Sequence, residues 1–158
     1  MNKILLNFFI LFLIFFGNSC SYKPIFKEGV YNFIIEDISF EGEKDINRII
    51  ENKLSLIKKN TDLQKNKYDI VIYSEKKKVV ISNDSKGDPL KFEISILVNY
   101  KLRKNEKILL DKEIIKKSIY NNDSNKFELE RDEDIILKNL SEKIGEDIIS
   151  SIININDN

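Results

Sequence analysis

The sequence predicts an α+β fold, a two-layer sandwich in which two helices pack on one face of a four-stranded, largely antiparallel sheet. Two segments have apolar residues at helical spacing. Four others have the alternation, or the β-branched and aromatic composition, of strands. Their order is strand, helix, three strands, helix. Two amphipathic helices can cover one face of such a sheet, so the other face should be polar and meet water or a polar partner.

The first strand and the first helix come from two different patterns. Residues 30–40 are rich in β-branched and aromatic residues, which indicates a strand. Neither face of this strand is purely apolar, which suggests a bulge or partial burial of both faces. Residues 44–58 follow as the clearest helix. Its one apolar stripe consists of Ile46, Ile49, Ile50, Leu54 and Ile57.

The second strand contains three adjacent lysines. Residues 68–82 form either one long strand or two pieces divided at the lysines, residues 76–78. Because side chains alternate between the faces of a strand, at least one lysine would point inward if the whole strand were covered. We therefore expect this end to extend beyond the core. Residues 83–89 are dense in turn-forming residues and predict a hairpin tip.

The remaining strands and the second helix follow in order. Residues 91–102 alternate strictly between apolar and polar side chains, as an antiparallel strand with one buried face does. A tight connection leads to a less regular strand at residues 108–120. Residues 132–152 have apolar residues every four positions and predict the second helix, in which Gly145 would mark a close contact with the sheet. Residues 154–158 are expected to be a frayed tail.

An acidic run stands at the expected start of this helix. The amino-terminal end of a helix is the positive end of its dipole and stabilises carboxylates. Capping is therefore a better interpretation of these residues than a metal site. The run consists of Glu128, Glu130, Asp132, Glu133 and Asp134.

The amino-terminal segment is typical of a secretory signal peptide. Lys3 precedes an apolar run at residues 4–16, which is shorter than the roughly 20 apolar residues that a membrane-spanning helix needs. Cys20 is the only cysteine of the chain, so it cannot form an internal disulfide. Its position after Ser19 suggests a bacterial lipoprotein whose thiol is acylated. The alternative is an ordinary secreted protein with an incidental cysteine.

These features predict the organisation of the chain. Residues 1–19 would be the lipoprotein signal peptide, and residues 20–29 would be the acylated cysteine and a tether. Residues 30–153 would form a single α+β domain. The lipid on Cys20 would be the only attached group, with no other cofactor and no metal.

The composition argues against an enzyme. The chain has no histidine, which excludes Ser–His and Cys–His catalysis, and its five glycines form no phosphate-binding loop. Residues 58–117 carry 16 basic and 9 acidic residues, whereas residues 118–158 carry 4 and 10. The basic segment either meets a polyanionic partner or is neutralised by the acidic helix of the same domain.

A basic cluster lies on or near one end of the predicted hairpin. Clustered amines suit phosphate or carboxylate groups. For an exported lipoprotein, an anionic glycolipid fits better than nucleic acid, and no nucleic-acid partner is expected. The cluster contains Lys76, Lys77, Lys78, Lys86 and Lys91.

Five segments, in this order and spacing, resemble the LPS-assembly lipoprotein family LptE, particularly its alphaproteobacterial type. The resemblance covers most of the chain after the signal peptide. The segments are Cys20-Ser-Tyr22-Lys-Pro24-Ile25-Phe26, Asn47-Arg48-Ile49-Ile50-Glu51-Asn52-Lys53-Leu54, Phe92-Glu93-Ile94 through Tyr100-Lys101-Leu102, Ser118-Ile119-Tyr120-Asn121, and Glu133-Asp134-Ile135-Ile136.

The resemblance implies a location, a partner and a ligand. The protein would be lipid-anchored on the periplasmic side of the cell outer membrane. It would plug and help assemble the LptD β-barrel and assist insertion of lipopolysaccharide into the outer leaflet. The basic residues nearest to those implicated in lipopolysaccharide contact are Lys86, Lys91, Lys126 and Arg131. The alternative is a stand-alone periplasmic lipoprotein that binds a soluble ligand, in an apolar pocket, or the cell wall.

Overall fold

The computed structural model describes residues 33–58 and 66–156, and these form the predicted α+β sandwich. The predicted signal peptide, Cys20 and the tether lie outside the described residues. No helix of the described part has the length and apolar character needed to cross a membrane. The elements are β1 (Phe33–Gly42), α1 (Lys44–Lys58), β2 (Asn66–Asn83), β3 (Pro89–Lys104), β4 (Lys107–Asn121) and α2 (Lys126–Asn156).

The four strands form one sheet in the order β1-β2-β3-β4. β1 runs parallel to β2, and the other two pairs are antiparallel. The register of β1 shifts between Ile35 and Asp37, which confirms the predicted bulge. β2 is one continuous strand of 18 residues, so the lysines do not divide it. The sheet is therefore largely antiparallel, as expected.

The core lies between the helices and one face of the sheet. The strictly alternating strand β3 supplies its centre, since the predicted inward residues of β3 are buried except Phe92, which is half-buried. Burial raises the pKa of Tyr100, the largest fully buried side chain among the described residues. The buried residues of the two helices are Ile46, Ile50, Leu54, Leu129, Leu140, Ile144, Ile148, Ile149 and Ile152.

Helix α2 is longer at both ends than predicted. It begins at Lys126 rather than at residue 132, because Asn125 caps it. The side-chain oxygen of Asn125 accepts a hydrogen bond from the Phe127 N–H at 3.1 Å. Glu128 therefore lies in the first turn, where the helix dipole favours a carboxylate as predicted. Residues 130–134 lie further along the helix, so the role predicted for them at its start is wrong. The helix continues to Asn156, so residues 154–156 are not a frayed tail.

Gly145 lies where α2 contacts α1, not the sheet. A Cβ atom at Gly145 would lie 3.0 Å from the Cβ of Lys53, a distance that ordinary contacts rarely reach. The Lys53 ammonium bonds the carboxylate of Glu146 at 3.2 Å, one residue further along α2. The predicted close contact with the sheet is wrong, because glycine here allows two helix backbones to approach each other.

Ser141 is a buried serine of α2, and its replacement tests the packing of this helix. Its side chain is 0% exposed, and its hydroxyl has no hydrogen-bond partner among the described residues. Because an unpaired buried hydroxyl is costly and alanine favours helices, Ser141→Ala should raise the free energy of unfolding by about 1 kcal/mol. Urea unfolding followed by circular dichroism measures this.

Ser151→Ala is the matched control, because the Ser151 hydroxyl donates to the Asp147 carbonyl at 2.9 Å. This variant loses a hydrogen bond and should gain less stability than Ser141→Ala. An equal gain in both variants would mean that helix propensity alone explains the result.

Candidate functional site

The turn between β2 and β3 lies at one end of the sheet, where β2 extends past the core. Every residue of β2 from Glu75 to Lys78 is exposed. Lys76 pairs across the sheet with Ile96, and Lys78 pairs with Ile94. Both partners are buried on the helix-covered face. Two of the three lysines therefore share the inner face, and the prediction that β2 extends beyond the core is confirmed.

Lys78 is held at this end by two aromatic rings and a carboxylate. Its ammonium lies 4.4 Å from the centroid of the Phe92 ring and 5.7 Å from that of Tyr120. These rings stack with their centroids 5.5 Å apart. The same ammonium forms an ion pair with Glu133 of α2. The Tyr120 hydroxyl donates a hydrogen bond to Glu133 Oε1 at 2.6 Å.

The protonation of this cluster is fixed by its contacts. Burial alone would raise the pKa of Glu133, but the hydrogen bonds from Lys78 and Tyr120 and the charges of Lys78 and Lys76 hold that pKa below its usual value. Burial, together with the hydrogen bond to Glu133 and its negative charge, raises the pKa of Tyr120 well above the usual tyrosine value. At neutral pH Glu133 is therefore a carboxylate and Tyr120 a neutral phenol.

The four basic residues singled out in the sequence all lie around this end of the fold. Lys86 lies in the turn, and Lys91 near the start of β3 pairs with Asn121 at the end of β4. Lys126 begins α2 soon after, and Arg131 follows on the same helix. Arg131 forms an ion pair with Glu128, so its charge is already neutralised. The other three are exposed and form no ion pair with any residue in the described ranges.

Exposed apolar side chains accompany these lysines. Phe127, beside Lys126 in the first turn of α2, is 71% exposed. Val80, Ile81 and Leu90 are each more than two-fifths exposed on the strands that flank the turn. Cations and apolar groups at one end suit an amphiphile with an anionic headgroup and acyl chains. We call this set the tip surface: Val80, Ile81, Lys86, Leu90, Lys91, Lys126 and Phe127.

The Lys78–Tyr120–Glu133 cluster was not recognised in the sequence. The three adjacent lysines indicated a basic hairpin, but only the strand register shows that Lys78 faces α2. Glu133 lies 55 residues away from Lys78 and was assigned to capping. The signal that could have indicated this cluster was an acidic residue within the helix that follows the basic hairpin.

An open groove lies between the two helices. This open groove of about 600 Å³ is lined by three acidic and three basic side chains around Ile49 and Leu137. Its charges balance, so it offers a polyanion no net attraction. It also differs from the apolar pocket that the soluble-ligand alternative requires. The charged residues are Asp45, Arg48, Lys53, Asp134, Lys138 and Glu142.

The fold is similar to those of solved bacterial lipoproteins. Rare lipoprotein B from Shewanella oneidensis superposes with a TM-score of 0.60 at 15% identity, covering 76% of this chain and 96% of that one. Uncharacterized lipoprotein B from Nitrosomonas europaea gives 0.63 at 16% identity, covering 85% and 94%. A minor lipoprotein from Acinetobacter baumannii gives 0.56 at 11% identity, covering 80% and 94%.

No protein-family model matches the sequence, and comparison with curated proteins finds no match either. At these low identities the structural similarity establishes the fold and leaves the alphaproteobacterial assignment a prediction. The chain therefore shares the α+β fold of rare lipoprotein B and the other solved bacterial lipoproteins.

Proposed function

We propose that this protein is a lipid-anchored lipoprotein of the cell outer membrane that plugs and helps assemble an LptD-type β-barrel in lipopolysaccharide transport. The tip surface carries the proposal, because it presents lysines that form no ion pair within the described residues, beside exposed apolar side chains. Lipopolysaccharide offers the matching groups, anionic phosphates next to acyl chains. The fold shared with rare lipoprotein B and other solved bacterial lipoproteins supports the assignment as a lipoprotein.

The sheet face that the helices leave uncovered supports the role of a plug. Glu93 of β3 binds Lys117 of β4 at 3.0 Å, and Lys101 binds Asp111 at 3.2 Å on this outer face. These charged pairs lie beside exposed apolar side chains, since Ile115 and Ile119 of β4 share this face and are 49% and 58% exposed. The face is therefore mixed rather than purely polar as predicted. The interior of a large outer-membrane barrel is polar and water-filled, so such a surface can lie inside it without burying unpaired charges in lipid.

Anchoring would come from Cys20, which lies outside the described residues. Removal of residues 1–19 would make the cysteine the first residue of the mature chain. Stable membrane attachment needs two signals, such as two acyl chains, because a single chain binds a membrane only reversibly. The proposal assigns the protein no catalytic activity, no metal and no nucleic-acid partner.

Co-purification tests the proposal. The full chain, carrying a carboxy-terminal affinity tag and extracted from membranes in mild detergent, should bring down a large outer-membrane β-barrel that mass spectrometry identifies. A Cys20→Ala variant is the control for anchoring, since it should lose palmitate labelling and leave the membrane fraction. Recovery of the labelled wild type as a free monomer would contradict the plug role and favour a stand-alone periplasmic lipoprotein.

A further inference from the structure

We propose that Lys78 and Tyr120 form a phosphate-binding site that the carboxylate of Glu133 occupies in the ligand-free protein, and that a phosphate monoester enters by displacing it. The proposal rests on the proposed function only for the source of the phosphate, which would be a lipid headgroup. The site itself is argued from the contacts of three side chains on β2, β4 and α2.

Glu133 shows that this position binds an anion. Two hydrogen-bond donors from different strands converge on its carboxylate, the Lys78 ammonium and the Tyr120 hydroxyl. The Phe92 ring lies under the ammonium at 4.4 Å and fixes its position. Lys76, on the same face of β2, adds a second positive charge. A phosphate oxygen in place of the carboxylate oxygen would meet the same donors.

Displacement of Glu133 would cost little. Its side chain is 26% exposed and that of Lys78 is 37% exposed, so both already contact water. Ion pairs with this much exposure contribute little to stability. A phosphate monoester carries a charge of about −1.5 to −2 at pH 7 and three strong acceptor oxygens, so it competes well against a single carboxylate.

Glu133 would therefore determine the specificity of the site as an internal competitor. Singly charged ligands such as carboxylates would replace it with no gain in charge. Phosphate monoesters would gain up to one further charge interacting with Lys76 and Lys78. The site would then prefer phosphorylated headgroups to other anionic lipids.

The test measures binding by isothermal titration to the full-length, detergent-solubilised chain with two probes, inorganic phosphate and lipopolysaccharide. Glu133→Gln keeps an acceptor for the Tyr120 hydroxyl but removes the competing charge, so it should bind both probes roughly tenfold more tightly. Glu130→Gln is the matched control, because Glu130 is exposed on the same helix. It should stay within about twofold of the wild type.

Two further variants separate binding from packing. Adding Lys78→Gln or Tyr120→Phe to the Glu133→Gln protein should abolish the gain for both probes. Thermal unfolding of each variant shows whether the fold is retained. The proposal is overturned if folded Glu133→Gln binds inorganic phosphate no better than the wild type, or if Glu130→Gln gains as much.

The two probes also separate this site from the proposed function. A gain for inorganic phosphate with no lipopolysaccharide binding by any variant would support the site and contradict the role in lipopolysaccharide transport. Tight lipopolysaccharide binding that is unaffected by Glu133→Gln would support the transport role and overturn the site.

Discussion

Replacing Gly42 by alanine should remove a large part of the stability of this fold. Gly42 has a φ of +89°, and a Cβ atom there would lie 1.9 Å from the carbonyl oxygen of Ser74. That oxygen belongs to the backbone of β2 and accepts a hydrogen bond from the Glu43 N–H at 3.2 Å. It therefore cannot move without breaking the contact between the end of β1 and β2. We expect a loss of about 4 kcal/mol or more, against a typical total of about 5–15 kcal/mol.

Gly87 provides the matched control for this substitution. Its φ is +90°, nearly the same, but nothing lies within 4 Å of a Cβ atom built there. Gly87→Ala should therefore cost only the conformational strain, about 1–2 kcal/mol. Urea unfolding of both variants by circular dichroism compares them. Equal losses would show that backbone strain alone, rather than the approach of β2, explains the need for glycine at residue 42.

The effect of Gly42 is large because the end of β1 also belongs to a buried hydrogen-bond network that joins it to α1 and β2. The Ser74 hydroxyl donates to Asn47 Oδ1 at 2.7 Å, and Asn47 Nδ2 donates to the Glu41 carbonyl at 3.0 Å. Ser74 is 1% exposed and Asn47 is 8% exposed, so water cannot replace these bonds. Any shift of β1 away from β2 would break several of them together.

The sequence predicted those elements whose signal is local. Helix α1 was placed correctly at both ends, because its apolar stripe faces one way and polar residues occupy its other face. Strand β3 was recognised by its alternation, and the turn at its start by its Asp, Asn, Gly and Pro content. The predicted start of helix α2 was too late, because Asn125 and Phe127 precede the acidic run and were assigned to a loop.

What could not be predicted depends on register between distant segments. The requirement for glycine at residue 42 comes from the pairing of β1 with β2. The contact of Gly145 with Lys53 depends on how the two helices cross, which a single-helix pattern does not contain. The site also depends on register between distant segments. The sequence shows Lys78 as one of three adjacent lysines, but it does not show that Glu133 is its partner.

Reversing the charges of Lys86 and Lys91 together should weaken lipopolysaccharide binding by at least roughly thirtyfold. Each lysine near an anionic lipid surface contributes about 1 kcal/mol, so losing two costs about 2 kcal/mol, and the two new glutamates add repulsion. Neither ammonium forms an ion pair within the described part of the chain, so no internal partner offsets the loss. Titration with lipopolysaccharide at two salt concentrations measures the effect.

The double variant Lys107→Glu, Lys112→Glu is the control, because it makes the same change in net charge away from the tip surface. Lys107 begins β4 at the opposite end of the sheet, and both side chains are exposed.

If binding depends only on the net charge of the molecule, both double variants should lose affinity equally, and higher salt should remove the difference from the wild type in both. If binding depends on the tip surface, only the first should lose affinity strongly. The remaining affinity should then come from Lys126 and Lys78, whose charges salt screens, and from the apolar side chains, which salt does not screen. The comparison therefore separates a located lipid site from general attraction between a polyanion and a basic sheet.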